Sequence, residues 1–525
     1  MVSSATATDR FRAHDELTLT DWIGFTAMVV GIFMAILDIQ IVSSSLQQIQ
    51  AGLSATQDEI AWVSSSYLIA EVVVIPLSGW LGQALSTRYL FSAAAIGFTV
   101  TSALCAFSWN LQSMIVFRCF QGLFGGVMIP TVFSVIYTLF PPRLQPSMTV
   151  VTGLVVTIAP TAGPVLGGYL TETFSWQALF LINLAPGLAV ALCTFLFVHV
   201  DRPDWSLLRK IDFLGALFVV AFLGSLQYVL EEGVREQWFE SPEIVMFSVV
   251  AFVAFVAMVV RELRIAEPIV DLRAFRDLNF TLGCLFSFVL GVGLYTVMYL
   301  LPVYLAGVKG LNSLQIGMYL TVTGVAQFLS AALAGGLAKA MDARLMLALG
   351  ICLYVTGAWM NGQMTAEWGF AEFFWPQALR GISMMFIFLP VNTLALGTLP
   401  AEEVKNASGL YNLMRNLGGA IGLAVSNTLI LQWQKMHYAH VRESLTAGST
   451  QVMQTWQKMS ALGSTHQLPQ PTTGGLTQLH ALVWREATVM TTNQLFELMA
   501  MIFLASLFLV PLVKKFDMGQ APGGH

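Results

Sequence analysis

Runs of about twenty apolar residues recur along this 525-residue chain, and nothing else in it limits the fold so severely. About twenty helical residues, rising roughly 1.5 Å each, cross the ~30 Å hydrocarbon layer of a bilayer. Inside lipid each backbone N–H and C=O must be satisfied within the segment, which leaves helices for runs of this kind. Charged residues make up only 10% of the chain, whereas soluble chains carry about 25%. So few charges cannot cover a water-facing surface, and lipid is the solvent for much of it. An all-α polytopic membrane protein is expected. The formal net charge of -5, with no basic patch, gives no sign of a nucleic-acid partner.

The apolar runs fall at 22–46, 59–80, 89–107, 111–139, 147–170 and 178–198, then at 211–230 and 244–260. Six more lie at 280–305, 317–337, 345–359, 374–399, 404–431 and 489–513. Fourteen spans place both termini on one side. With that side cytoplasmic, its loops carry Arg88, Arg143, Arg202, Arg209, Lys210, Arg261, Arg264, Arg273, Arg276, Lys339, Arg344 and Lys405. The short opposite loops carry only Arg235 and Lys309, as the positive-inside rule requires. Residues 1–20 are polar, hold Arg10 and Arg12, and lack the order of a cleavable signal. Cys105, Cys119, Cys193, Cys284 and Cys352 all lie in apolar runs without a CxxC pair, and read as buried apolar residues.

An internal repeat divides the chain. Gly79 to Arg88, at the end of the second run, is echoed by Gly335 to Arg344. Arg118, Pro130 and Pro141 are echoed in order by Arg380, Pro390 and Pro400. Parallel six-helix halves give this pattern, with the seventh and eighth runs standing between them. The expected units are a cytoplasmic segment 1–20, a first half 21–200, two extra helices with linkers 201–275, a second half 276–515 and a tail 516–525. The second half contains a polar external loop, 432–488, in which 433–460 is either an amphipathic helix or disordered.

Few charges remain inside the runs: Asp38, Glu71, Arg118, Arg415 and Glu497. Each costs at least ~2.5–3.5 kcal/mol at the bilayer centre, so each needs a partner or a wet cavity. A carboxylate in a low-dielectric cavity exchanges protons nearer neutral pH, and an approaching arginine favours its charged form. Asp38 with Arg118 is therefore the expected proton-coupling pair. Glu71 is a second carboxylate that takes protons or binds a cation, while Glu497 lies near the outer face. The alternative is a static ion pair that fixes helix packing, the role expected of Arg380. In the fifth run, Ala159-Pro-Thr-Ala-Gly163-Pro164-Val-Leu-Gly167-Gly168 combines helix-bending prolines with small residues. That composition suits either a gate or ordinary close packing.

Together these motifs resemble the major facilitator superfamily, and within it the fourteen-span drug:proton antiporters of the EmrB/QacA type. The carriers are Leu37-Asp-Ile-Gln40-Ile-Val-Ser43, Arg118 with Gln121-Gly122, Gly163-Pro164 with Gly167-Gly168, Trp176 through Phe180 to Asn183, and Ala407 through Arg415 to Ala420. The resemblance implies proton-driven export of hydrophobic or amphipathic compounds, with a periplasmic EmrA-like adaptor and a TolC-like outer-membrane channel as partners. It also implies a bacterial inner-membrane location. The loop after the second run departs from the pattern: Gln83 stands where the family has an aspartate, and Arg88 is its only cation. Gln40 and Ser43 replace the usual threonine and asparagine. Gln40, Tyr67, Phe133 and Tyr411 are candidates for the substrate cavity.

No GxxxxGK[ST] loop is present, so no ATP site is expected and protons are the expected driving force. A dedicated exporter of one metabolite, such as a siderophore or fatty acid, remains the alternative. A membrane enzyme would cluster histidine, cysteine or carboxylates near an interface, whereas the seven histidines here are scattered. A channel would show a filter or a ring of charge, and none is evident.

Overall fold

The computed structural model describes residues 17–56, 59–209, 211–265, 268–338, 340–444 and 471–514. Among them every regular element is helical. The N-terminal segment as far as residue 16, Lys210, Lys339 and the tail from residue 515 lie outside the described residues.

Polar residues start the helices where the apolar runs begin. Thr18 and Asp21 form a capping box at α1 (Leu19–Ser44), followed by the short α2 (Leu46–Leu53). The second span is broken into α3 (Trp62–Val74) and α4 (Leu77–Leu85), which meet at 61° beside Pro76. Proline lacks the N–H that would carry the ladder through. There follow α5 (Thr87–Ala106), α6 (Leu111–Leu139, capped by Asn110), α7 (Gln145–Thr173), α8 (Ala178–Leu181) and α9 (Leu184–Phe197). The stretch between the halves supplies α10 (Ser206–Arg209), α11 (Phe213–Glu232) and α12 (Pro242–Arg264). The second half comprises α13 (Leu278–Gly307), α14 (Ser313–Leu337), α15 (Ala343–Asn361), α16 (Phe370–Leu396), α17 (Ala401–Ser444) and α18 (Pro471–Leu507).

Among the described residues eleven helices are long and apolar enough to cross a membrane, or thirteen when each bent pair counts as one span. The expected run 404–431 lies inside α17, where Asn406, Asn412, Arg415, Asn416 and several glycines dilute its hydropathy. Side chains such as Phe252 and Val253 on α12 are more than half exposed, as lipid-facing residues are.

In the first half α1 packs on α6, α7 and α9, α3 on α6, and α5 on α6 and α9. In the second, α13 packs on α16 and α17, α16 on α14 and α15, and α18 on α15 and α17. The halves meet along α4 and α6 against α17, and along α7 against α14 and α16. The extra helices pack on each other, and α11 reaches both α3 and α17.

Contact between the halves is closest on the side whose loops carry Arg88, Arg143 and Arg344, here called the basic side. There Gly79 lies against the backbone of Lys405 and Asn406, and Gly409 against Ile75 and Pro76. Ser408 Oγ donates to the Pro130 carbonyl at 2.5 Å, and Tyr137 Oη to Asn392 Oδ1 at 2.6 Å.

Two expectations change. The polar stretch 432–488 is not one loop: α17 runs on to Ser444 and α18 begins at Pro471. The extensions are joined by Gln434 to Thr488 at 2.6 Å, His437 to Gln494 at 2.8 Å, and Tyr438 against His480 and Trp484. The remainder, 445–470, lies outside the described residues. The cysteines also divide: Cys105 and Cys284 are buried, whereas Cys119 and Cys352 are exposed. An apolar run in lipid has an outward face, and a small apolar side chain is as much at home there as in the core.

Candidate functional site

Asp38, near the end of α1, has no exposed surface. Its Oδ2 accepts from Arg118 Nη1 at 2.6 Å, and its Oδ1 from Asn183 Nδ2 at 2.7 Å and Gln121 Nε2 at 3.2 Å. Arg118 Nη1 also donates to Gln121 Oε1 at 2.8 Å, and its Nε to the Val63 carbonyl at 3.0 Å. Arg118 and Gln121 are three residues apart on α6 and so share one helix face. Ser102 closes the ring: its hydroxyl accepts from Gln121 and Asn183 and donates to the Phe180 carbonyl at 2.9 Å. The Tyr67 ring covers the guanidinium, with its centre 4.3 Å away. Gly122 and Gly125 allow this approach, since a Cβ at either would strike Tyr67.

Five helical segments of the first half thus converge on one carboxylate: α1, α3, α5, α6 and the α8–α9 turn. Adding a proton to Asp38 would remove the charge that Arg118 and two amides are bonded to. The arrangement therefore has two electrostatic states, which is what a proton-sensitive element requires.

A second polar line lies toward the second half. Glu71 is 4% exposed, and its carboxylate makes no ion pair or hydrogen bond among the described residues. Tyr295 of α13 is within electrostatic range of both Glu71 and Arg415, and donates to Asn416 Oδ1 at 3.3 Å. Arg415 donates to Asn412 and lies among the rings of Phe133, Phe388 and Tyr411. Phe133 and Tyr411, two of the expected cavity residues, are fully buried around this guanidinium. Tyr67, a third, is instead interior to the first half, where stacking on Arg118 takes up its face. Gln40 is half-buried, with its Cβ facing Gly163 of α7.

The small residues of α7 behave unequally. A Cβ on Gly163 would strike Gln40, and one on Gly167 would come within 2.9 Å of the Ile41 carbonyl. Gly168 differs from expectation, because nothing lies within 4 Å of its Cβ position and no helix approaches there. Around Pro160 the helix bends by 45°, and Ala159 beside it is fully buried. In the second half, Arg380 Nη1 donates to Gln377 Oε1 at 3.0 Å, and Gln363 Nε2 donates to Glu497 Oε1 at 3.4 Å.

The sequence profile of the Major Facilitator Superfamily matches residues 28–423. The chain belongs to that superfamily. It is 42% identical to the colistin resistance protein EmrB of Acinetobacter baumannii, over 81% of this chain and 83% of that one. It is 31% identical to the multidrug export protein EmrB of Escherichia coli K12, over 95% and 96% of the two chains. Among solved structures, the superfamily's proton:xylose symporter XylE superposes with a TM-score of 0.60 at 12% identity, over 95% of this chain and 97% of that one. That likeness concerns the fold alone.

The basic side also holds a second buried ion pair, which the sequence did not announce. Asp201, just after α9, accepts from Ser86 Oγ at 2.8 Å, Thr87 N at 3.0 and 3.1 Å, and Thr87 Oγ1 at 3.1 Å. It thereby caps the N-terminus of α5 and, across the boundary between the halves, pairs with Lys405 of α17. Lys405 Nζ also donates to the Gly82 carbonyl at 3.0 Å. Both side chains are almost fully buried. Arg88 faces His199 at 3.0 Å and stacks on Phe195, whereas Arg344 lies beside the Asp342 cap of α15. Sequence reasoning counted Lys405 only as one more basic-side cation and passed over Asp201. A lone aspartate abutting the end of a span was the one available signal, and it is a weak one.

Proposed function

We propose that this protein exports hydrophobic or amphipathic compounds across the bacterial inner membrane in exchange for protons, by alternating access. The observation that carries the reading is the buried Asp38–Arg118 pair with its amide partners, a group whose bonding changes with one proton. The two related EmrB proteins are named for multidrug export and colistin resistance, which favours export over uptake.

The arrangement of the halves suits this cycle. They are held together on the basic side by Asp201–Lys405, Ser408–Pro130 and Tyr137–Asn392, and α3, bent from α4 at Pro76, packs on α6 and α11. Proton uptake at Asp38 frees Arg118, and release of the basic-side contacts opens that side to load the next molecule. The basic side is cytoplasmic in this reading, with both termini on it. The paired extensions of α17 and α18 stand on the opposite side, where a periplasmic adaptor and an outer-membrane channel would attach.

The test is proton-driven efflux of lipophilic dyes from proteoliposomes carrying wild type or Asp38→Asn. Transport in wild type that collapses with an uncoupler and is lost in Asp38→Asn is expected. Wild-type rates in the mutant under the same pH gradient would remove Asp38 from coupling. Adaptor capture lost on replacing residues 440–480 by a short linker tests the partner separately.

A further inference from the structure

The two helices that stand between the halves, α11 and α12, pack on each other and turn many apolar side chains outward, Leu217 and Val253 among them. At their basic end they border a groove of about 470 Å³. It is lined by Phe218 of α11 and by Ala257, Val260, Arg261, Arg264 and Ile265 at the end of α12. The floor is apolar, and the rim carries two arginines three residues apart, hence on one helix face. Arg264 is exposed and makes no ion pair or hydrogen bond among the described residues.

Arg261 is held in one direction by an aspartate behind it. Its Nε donates to Asp212 Oδ1 and Oδ2 at 3.1 and 2.9 Å, and its Nη2 to Oδ1 at 2.7 Å. The Asp212 side chain is buried, whereas the arginine keeps 37% of its surface. This grip occupies one edge of the guanidinium and leaves Nη1 without an acceptor among the described residues. Two further charged groups lie close by. Glu262 is fully buried and accepts from Val270 N at 3.3 Å, and Arg273 Nη2 donates to the Ile265 carbonyl at 2.7 Å. Cations in a last helical turn suit the helix dipole. The dipole alone explains neither the apolar groove beneath them nor the aspartate that fixes Arg261.

We propose that this groove binds one anionic phospholipid. Its phosphodiester lies between Arg261 Nη1 and Arg264, and an acyl chain runs along Phe218, Ala257 and Val260. Guanidinium groups match phosphate oxygens in charge and in the spacing of their N–H donors. The groove opens on the outward face of two membrane-spanning helices, where the surrounding molecules are lipids, and basic pockets between spans select the anionic ones. Asp212 is a positioning residue here: it touches Arg261 and not the lipid. The site belongs to the two inserted helices and stands apart from the export reading above.

The test is native mass spectrometry of the full-length protein in detergent, titrated with phosphatidylglycerol or with phosphatidylcholine of the same acyl chains. Wild type binds phosphatidylglycerol about tenfold more tightly than phosphatidylcholine or better. Arg264→Gln, a change at an exposed and unpaired residue that the fold tolerates, lowers phosphatidylglycerol affinity about fivefold and leaves phosphatidylcholine within about twofold. Asp212→Asn reduces the preference, and Asp212→Glu keeps most of it. Ala257→Trp fills the groove and weakens both lipids. Arg235→Gln, at the opposite end of α11, changes neither. Equal affinity for the two lipids in wild type overturns the proposal. An unchanged preference in Arg264→Gln overturns it as well, since the arginine would then serve the helix dipole alone. Displacement of phosphatidylglycerol by millimolar inorganic phosphate would show that any phosphate suffices, and likewise defeats a lipid site.

Discussion

In α6, Arg118 meets a carboxylate at 2.6 Å; at the matching place in α16, Arg380 meets an amide at 3.0 Å. Both arginines are buried and both have a glutamine three residues away on their own helix. The difference comes from the helix across from them, since α1 supplies Asp38 and no carboxylate among the described residues pairs with Arg380. A repeated scaffold can thus keep a cation in both copies while only one copy holds a group that a proton can neutralise. The same asymmetry recurs on the basic side. Gly79 is pressed against the backbone of α17, whereas Gly335 has only Val150 Cγ2 at 4.0 Å from its Cβ position.

The sharpest way to break the comparison is to remove each arginine in turn. Arg118→Gln leaves Asp38 buried without its cation, and one-sided loss of a buried pair costs about 3–5 kcal/mol. Thermal unfolding in detergent should show a large drop, with dye efflux abolished. Arg380→Gln forfeits one hydrogen bond from a charged donor, about 1.5–3 kcal/mol, and keeps coupled transport. Equal losses in the two variants would mean that the halves share the coupling role.

Breaking the contact between the halves comes next. Lys405→Gln removes a charge-assisted interaction worth about 1.5–3 kcal/mol from the closed basic side. Spin labels on the basic-side ends of α4 and α17 should report a population moved to longer distance, and an unchanged distribution would discount the Asp201–Lys405 contact as a latch. Gly79→Ala places a Cβ 2.6 Å from Asn406 Cα and 2.7 Å from the Lys405 carbonyl. Overpacking of that kind costs about 1–3 kcal/mol and should separate the same labels. Gly335→Ala, the smallest expected effect, stays within about 0.5 kcal/mol of wild type in the unfolding assay.

Much of this was legible in the sequence because lipid imposes simple rules. Apolar run length located the helices, and the expense of a buried charge singled out Asp38 and Arg118, which the fold brings together. Asn183 came only through resemblance, and Ser102 not at all, because a polar uncharged side chain costs too little in a span to be conspicuous. The break at Pro76 was missed for a different reason: proline in a span can bend it, pass through it or end it, and the local sequence is the same in all three cases. Asp201 escaped because its meaning depends on a lysine 204 positions away in the other half. Tyr67 was placed in a substrate cavity on residue type alone; its neighbours Gly122 and Gly125 instead draw it against Arg118.

The length of α17 has a mechanical consequence. It is one unbroken helix from Ala401 through Lys405 to Ser444, 44 residues or about 66 Å, roughly twice the thickness of the hydrocarbon layer. Lys405 grips the first half at one end, and α18 is bound along the other through Gln434 and His437. In the proposed alternating-access cycle such a rod would act as a lever pivoting between its two grips. A small rotation that frees the lysine sweeps the far tip in the opposite sense, through an arc that grows with its distance from the bilayer. Whatever touches that tip would feel each turn of the cycle as a displacement, without any ligand passing between them.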